Sequence, residues 1–584
     1  MGRVTLKQLL LGSSLKRFSA IVAGLLLVAV SLTGCSAGSS IVINSQVTIG
    51  QVGKITTLNS DVAESAANNI AGDLSALTLQ GFYEIGADGS LVANETFGEV
   101  KVTKQEPFTV SYELAKTALW SDGSSVDSTD LALAVTAAKL PAFKSVRFGS
   151  SLGNATIVGT PKPGGNSLVL SFPNPIADWR TAVQISAPAH VVGKAAGLSG
   201  NVGTLRAGIL SAISAKDTEL LKKLAAAYSS AFTTGADPTN FVTNGAYTIS
   251  KLDADSLELK AVRDFTGTHS AIAETVYFKT YPDNASAFKA VASQEVDLFT
   301  PLATLNEPQS DLITSAQSLD TKIFTVLAPT SSRSEQFLLN LGGGTFADAS
   351  YKKPDTAAAL RKAFMNIVPK ARAYDFASLT QVITRSDSFV YSSASKNYAA
   401  VAGSNSSADF LLQDVERASE LIAGLKLPYQ PVVKILFDTD NQAAVAEWTL
   451  LSDNATSAGF RLTNISSDDP SALYKKGAYD VYLGDFPLLG VGAGSVQQLL
   501  NGPNRMPAEQ FLGLTAGVVS ASEKDLDAKL QELDQKLFEI GIGLPMYQSP
   551  TLLVHNQRIQ GLVADPTAAT STWGYWTWKV SADK

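Results

Sequence analysis

The chain has 584 residues, 45% hydrophobic and 17% charged, the balance of a folded globular protein rather than a disordered one. Its formal charge of −7 includes four basic and no acidic residues within the first 34, so the remainder is more acidic still. That excludes a strong nucleic-acid partner, which needs clustered Lys and Arg, and one cysteine with three scattered histidines (190, 269, 555) leaves no internal disulfide, protein-held metal or cofactor to expect.

In chain order, Arg3, Lys7, Lys16 and Arg17 precede an apolar run from Phe18 to Leu32 that stops at Thr33-Gly34-Cys35. A basic start, a short apolar core and a small-residue cleavage site make a secretory signal. The run is shorter than the roughly 17–25 residues a membrane-spanning helix needs. Leu32-Thr33-Gly34-Cys35 resembles the lipobox of bacterial lipoproteins. The resemblance implies a signal peptide at 1–34, acylation of Cys35, a lipidated tether at 35–40, and a protein held on the extracytoplasmic side of a membrane. The chain beyond the tether is long enough for two or three domains.

Alternation of apolar and polar residues predicts strands at Ser40–Ile49, Phe108–Leu114, Ser167–Phe172, Tyr247–Ile249, Ser256–Ala261, Thr275–Thr280, Val432–Phe437 and Ala478–Leu483. Helical periodicity predicts helices at Asp127–Lys139, Asp217–Phe232, Ala285–Gln294, Thr356–Val368, Ala408–Ala423, Asn441–Ala458 and Glu523–Ile540. Asp127 is a good N-cap with Asp130 at the third helical position, a capping-box pattern. Strands and helices alternate in both halves, which gives an α/β class with mixed sheets. Near the carboxyl end, Trp573, Trp576 and Trp578 are expected on an alternating strand that packs on the fold.

The order of short segments resembles the family 5 extracellular solute-binding proteins, which serve ABC importers of peptides and related solutes. Leu119-Trp120-Ser121-Asp122-Gly123 with Ser128-Thr129-Asp130 is similar to the family's W-S-D-G…T-A-x-D signature. Thr243-Asn244-Gly245-Ala246-Tyr247, Arg263-Asp264-Phe265-Thr266-Gly267 and Tyr281–Phe288 leading to Ser293-Gln294-Glu295-Val296-Asp297 come next in the family's order. So do Leu360-Arg361-Lys362-Ala363-Phe364, Tyr479-Asp480-Val481, Gly543-Leu544-Pro545-Met546-Tyr547 and Arg558-Ile559-Gln560-Gly561-Leu562. The resemblance implies an α/β periplasmic-binding-protein-like fold of two lobes, with an extra domain on the amino-terminal lobe. By that pattern lobe I comprises 41–60, 178–340 and 549–584, the extra domain 61–177, and lobe II 341–548. Hinge strands would lie near Phe337–Leu341 and Met546–Thr551.

The same resemblance implies a non-enzymatic monomeric receptor that closes over a short peptide and delivers it to the transmembrane subunits of an ABC permease. Nickel chelates, sugars and opines are the alternative solutes. In the family's peptide binders an aspartate after the Y-D-L strand pairs with the ligand's α-amino group. With the loop shortened by a few residues, Asp485-Phe486 take the place of that aspartate and its aromatic neighbour. Ungapped, Asp485 falls at a glycine and is a strand-end turn residue. Trp448, in a helix, reads as core first and as a cleft aromatic second.

Two enzyme patterns compete. Gly149-Ser150-Ser151-Leu152-Gly153 matches G-x-S-x-G, but no buried strand leads into it. Ser393–Lys396 matches S-x-x-K and Ser452-Asp453-Asn454 matches S-D-N, the penicillin-binding arrangement, yet Lys475-Lys476-Gly477 lacks the hydroxyl of its third element.

Overall fold

The computed structural model describes residues 40–62, 70–87, 90–148, 150–253, 255–302, 309–328, 330–353, 355–378, 383–489, 496, 498–566 and 570–582. The signal peptide, Cys35, the tether up to Ser39 and Gly149 lie outside them. Among the described residues, no helix is long and apolar enough to cross a membrane.

Two large sheets organise the chain. The first has seven strands in the order Phe324–Leu327, Leu553–Asn556, Leu298–Phe299, Val42–Val52, Ala273–Tyr281, Ser256–Ala261 and Tyr247–Leu252. Its central strand Val42–Val52 runs parallel to both neighbours, with Ile49 opposite Phe278 and Leu298. Val47 to Gln51 are buried on both faces, as expected of a parallel strand covered on either side.

The second sheet has six strands in the order Thr384–Arg385, Gly543–Gln548, Arg333–Leu339, Val481–Pro487, Val432–Leu436 and Arg461–Asn464. The chain passes from the first sheet to the second between Leu327 and Arg333, and returns between Gln548 and Leu553. By sheet membership, Arg333–Leu339 therefore goes with the residues after 341 rather than with 178–340. A four-stranded antiparallel sheet, Gly98–Gln105, Phe108–Leu114, Ser167–Phe172 and Thr156–Val158, is a separate layer within 61–177.

The segments that carry the family resemblance have structural work here. Helix Ser128–Lys139 starts on the predicted capping box, with Asp127 accepting from the Thr129 N–H and Asp130 accepting from the Asp127 N–H. The same Asp130 accepts from the Trp120 indole at 3.3 Å and from the Ala189 N–H at 2.7 Å, so the two halves of the W-S-D-G…D pattern meet around one buried carboxyl. Likewise Asp297 and Arg558, far apart in sequence, form a two-armed ion pair, and Asp297 also accepts from the Thr48 N–H.

Some expectations fail locally. The periodic stretch 408–423 breaks into a short 3-10 turn at Ser407–Phe410 and a helix at Val415–Leu425. The tryptophan-rich end is no strand: Gly574 has φ +78° and leads into a 3-10 turn at Tyr575–Thr577. There His269 stacks on Trp576 with centroids 3.7 Å apart, while Trp578 is buried.

Candidate functional site

The strand Arg333–Leu339 lies between Val481–Pro487 and Gly543–Gln548, antiparallel to both. Its first residues sit at the sheet end where both connections to the other sheet emerge. Cross-strand register places Glu335 opposite Asp485 on one side and opposite Tyr547 on the other, and Tyr547 opposite Arg385. Directly opposed residues of antiparallel strands share a face. Arg385, Tyr547, Glu335 and Asp485 therefore form a row across four strands.

Helix Gln442–Ala455 brings a third carboxylate to this row. Its buried stripe reads Ala444, Glu447, Leu451, Ala455, a helical spacing in which only Glu447 is polar. Glu447 is 1% exposed, and neither carboxyl oxygen makes a hydrogen bond of good geometry among the described residues, although the Tyr547 hydroxyl is near enough to favour its anion. Burial and the charge of Glu335 oppose that anion and push the Glu447 carboxyl far above the ordinary range. Glu335, 6% exposed, accepts from Asn441 Nδ2 at 3.1 Å, and Asn441 also caps the same helix. Burial first, then the charge of Asp485, raise Glu335 to about 8.

Asp485 is the outermost of the three, with 47% of its side chain exposed. Arg333 Nε donates to its carboxylate and Arg333 Nη2 to its main-chain oxygen, both at 2.5 Å. The protein around Asp485 lifts its pKa above the ordinary carboxylate value, and Arg333 works the other way. Among the described residues, Arg333 is the cation whose charge acts on both Asp485 and Glu335, and it is itself half exposed.

The other two residues expected at the site are placed differently. Strand alternation puts Phe486 on the opposite face from Asp485, where it packs edge-on against Tyr482, with centroids 5.5 Å apart. Trp448 is half buried and lies against Phe437 at 6.4 Å. Arg333, Glu335 and Glu447 were missed by sequence reasoning. Glu447 left a readable signal, a carboxylate in an apolar helical stripe. Glu335 left none, because its partners come from strands about 150 and 210 residues away.

A separate cavity of about 160 Å³ lies between Ser150–Ile176 and Leu500–Leu512, lined by residues such as Phe172, Pro173, Asn174 and Phe511. No ionisable side chain lines it, so it offers a charged ligand no anchor. The serines Ser151, Ser393 and Ser452 of the two enzyme patterns lie in turns and a helix. Ser151 opens a 3-10 turn and donates to Asp178 at 2.6 Å, and the segment before it forms no strand. Ser452 is exposed in mid-helix and donates to the Thr449 carbonyl. Among the described residues, no group of three or more His, Cys, Asp or Glu is placed to hold a metal ion.

Comparison with known proteins agrees with the architecture. The profile of "Bacterial extracellular solute-binding proteins, family 5 Middle" matches residues 101–491. An uncharacterized lipoprotein of Mycobacterium tuberculosis is 35% identical over 109 residues, a stretch that spans 19% of this chain and 19% of that relative. Among solved structures, the periplasmic EDTA-binding protein EppA superposes with a TM-score of 0.62 at 18% identity, covering 93% of this chain and 98% of its own. The oligopeptide-binding protein AppA of Bacillus subtilis, solved with a nonapeptide, superposes with a TM-score of 0.55 at 12% identity, covering 92% and 99%. At such identities the likeness shows the fold, a two-lobed solute-binding architecture.

Proposed function

Because the chain belongs to the bacterial extracellular solute-binding proteins, family 5, we propose that it is the receptor of an ABC importer, capturing short peptides between its lobes for the permease's transmembrane subunits. Such a receptor needs no catalytic group. It needs a closed state that ligand stabilises by touching both lobes. The strands in which hinges were expected, near Phe337–Leu341 and Met546–Thr551, lie largely within the second sheet, so the hinges are proposed in the connections at 330–332 and 549–552 instead. The lobes are those expected from the sequence, with Arg333–Leu339 moving with the second.

The observation that carries the peptide reading is the acidic row at the sheet end beside those hinges. Asp485 is open to solvent on one side, backed by two buried acids, and already holds a guanidinium. A peptide's α-ammonium is a compact cation suited to replace that guanidinium, while main-chain groups of an extended peptide pair with strand edges. Phe486, on the opposite face of the strand, and Trp448, packed on Phe437, are proposed to support the strand and helix that carry the acids rather than to touch ligand.

A non-peptide solute is the second reading, and the similarity to an EDTA-binding protein keeps a chelate in view. The row disfavours a free polycarboxylate, since like charges facing each other at low dielectric repel strongly. Attachment to the membrane through lipid on Cys35 rests on the lipobox and agrees with the name of the mycobacterial relative. The receptor is proposed to act as a monomer.

Thermal-shift titration tests the peptide reading. A free tripeptide should raise the melting temperature, whereas its N-acetylated form and the Asp485→Ala protein with free tripeptide should show little shift. Equal shifts with free and acetylated peptides would remove the ammonium from the recognition scheme.

A further inference from the structure

We infer that Glu335 and Glu447 form a buried acid pair that stays protonated in the ligand-free receptor and releases one proton when a ligand's positive group settles beside Asp485. The inference rests on the proposed reading of this face as the ligand site, and it adds two residues and a chemical requirement to that site. Capture is then selective for solutes that bring a cation, and its strength depends on pH.

Geometry carries the inference. Glu335 is held in register between Asp485 and Tyr547 on neighbouring strands, and the cap of the helix that buries Glu447, Asn441, donates to Glu335 at 3.1 Å. Glu447 is almost wholly buried and lacks a hydrogen bond of good geometry, an unstable setting for an anion. Two carboxylates in such a place cannot both ionise, so the pair keeps a proton until a positive charge arrives.

The groups that face the pair can be named element by element. Strand Arg333–Leu339 contributes Arg333, and strand Val481–Pro487 contributes Asp485 and, on its other face, Tyr482, whose own ionisation feels Glu335. Strand Gly543–Gln548 contributes Tyr547, and Arg385 ends the row, bonded to Asp387. The helix brings its neutral cap Asn441 to Glu335, and its other acid, Asp453, is exposed beside Arg372. Arg333 is spent on Asp485, so no cation is free to neutralise the pair from within this group.

A ligand ammonium at Asp485 changes that balance. The ammonium takes the guanidinium's place at Asp485, and Arg333, on the same strand face as Glu335 two residues away, is freed to turn its charge toward the pair, which favours the ionised form. One carboxyl O–H bond breaks, the proton passes to the solvent buffer, and no other bond changes. The complex thereby exchanges a proton for the ligand's charge.

Isothermal titration calorimetry on the purified receptor tests this, with trialanine as probe at pH 6.5, in phosphate and in Bis-Tris buffers of different ionisation enthalpy. The buffer dependence counts protons. Wild type should release about 0.5–1 proton per peptide, and affinity should rise up to about tenfold per pH unit below pH 8. Glu335→Gln should release close to none, and if that variant fails to fold, Glu447→Gln should release measurably less than wild type. Binding by wild type without proton release overturns the pair's role and leaves the peptide reading standing, as does undiminished release in both variants. Failure of trialanine and of mixed tripeptides to bind wild type at all overturns the peptide reading, and the coupling with it.

Discussion

Arg333 and Asp485 form an ion pair in which each side chain remains about half exposed. Exposed pairs of this kind stabilise by about 0–1 kcal/mol, so this one is a contact that a ligand cation can displace. Arg333→Ala should therefore tighten peptide binding, by up to about fivefold, since 1 kcal/mol corresponds to roughly that factor. Weaker binding in that variant would instead make Arg333 a ligand contact. Glu335 works in the opposite sense for stability. Its folded-state pKa of about 8 lies above the ordinary 4.5, so the folded protein holds this proton more tightly than the unfolded chain. The stabilisation is fully present below pH 4.5 and is lost as pH rises through 8. Chemical denaturation of the ligand-free protein should show stability falling across that window, and Glu335→Gln should flatten the slope. An unchanged slope would place the proton elsewhere.

At the scale of elements, the capping box at Asp127 is both a sequence signal and an observed contact. Its carboxylate also accepts from the Gly164 N–H at 2.6 Å, so Asp127→Ala takes the acceptor from both the Thr129 and Gly164 N–H groups. That variant should lose about 1–3 kcal/mol in urea denaturation, and a loss below about 0.5 kcal/mol would mean the helix start is held by other contacts. Helix Glu523–Ile540 was legible to the residue because its apolar stripe is bounded by the Ser522 cap and by Gly541, which has φ +78°. Helices Val202–Ala215 and Ala508–Ser520 were not foreseen, since their many small and apolar residues blur the amphipathic period. The Trp573–Trp578 stretch misled because its density of aromatic residues favours a strand, while Gly574 sends the backbone into a turn. Half of the candidate site was within reach for a similar reason. Asp485 came through resemblance to a motif, whereas Glu335 and Arg333 depend on strand register, which local pattern does not encode.

Across the whole molecule, the segment just after the four-stranded sheet is tied directly to residues near the second large sheet. The Trp179 indole donates to the Val519 carbonyl at 3.0 Å, and Arg180 Nη2 to the Ala521 carbonyl at 2.5 Å. Both acceptors lie at the carboxyl end of helix Ala508–Ser520, where unpaired carbonyls and the helix dipole favour donors and cations. These bonds hold distant parts of the chain together without any ligand. Trp179→Ala should therefore enlarge the radius of gyration of the ligand-free receptor in solution scattering, and peptide should reverse much of that change. Identical scattering from variant and wild type would show that the contact does not control opening.

Native mass spectrometry of the receptor purified without denaturation tests the central claim most directly. A ladder of short peptides of mixed sequence, lost from Asp485→Ala, is the predicted result. A single non-peptide species retained equally by both proteins would contradict peptide capture at the acidic row.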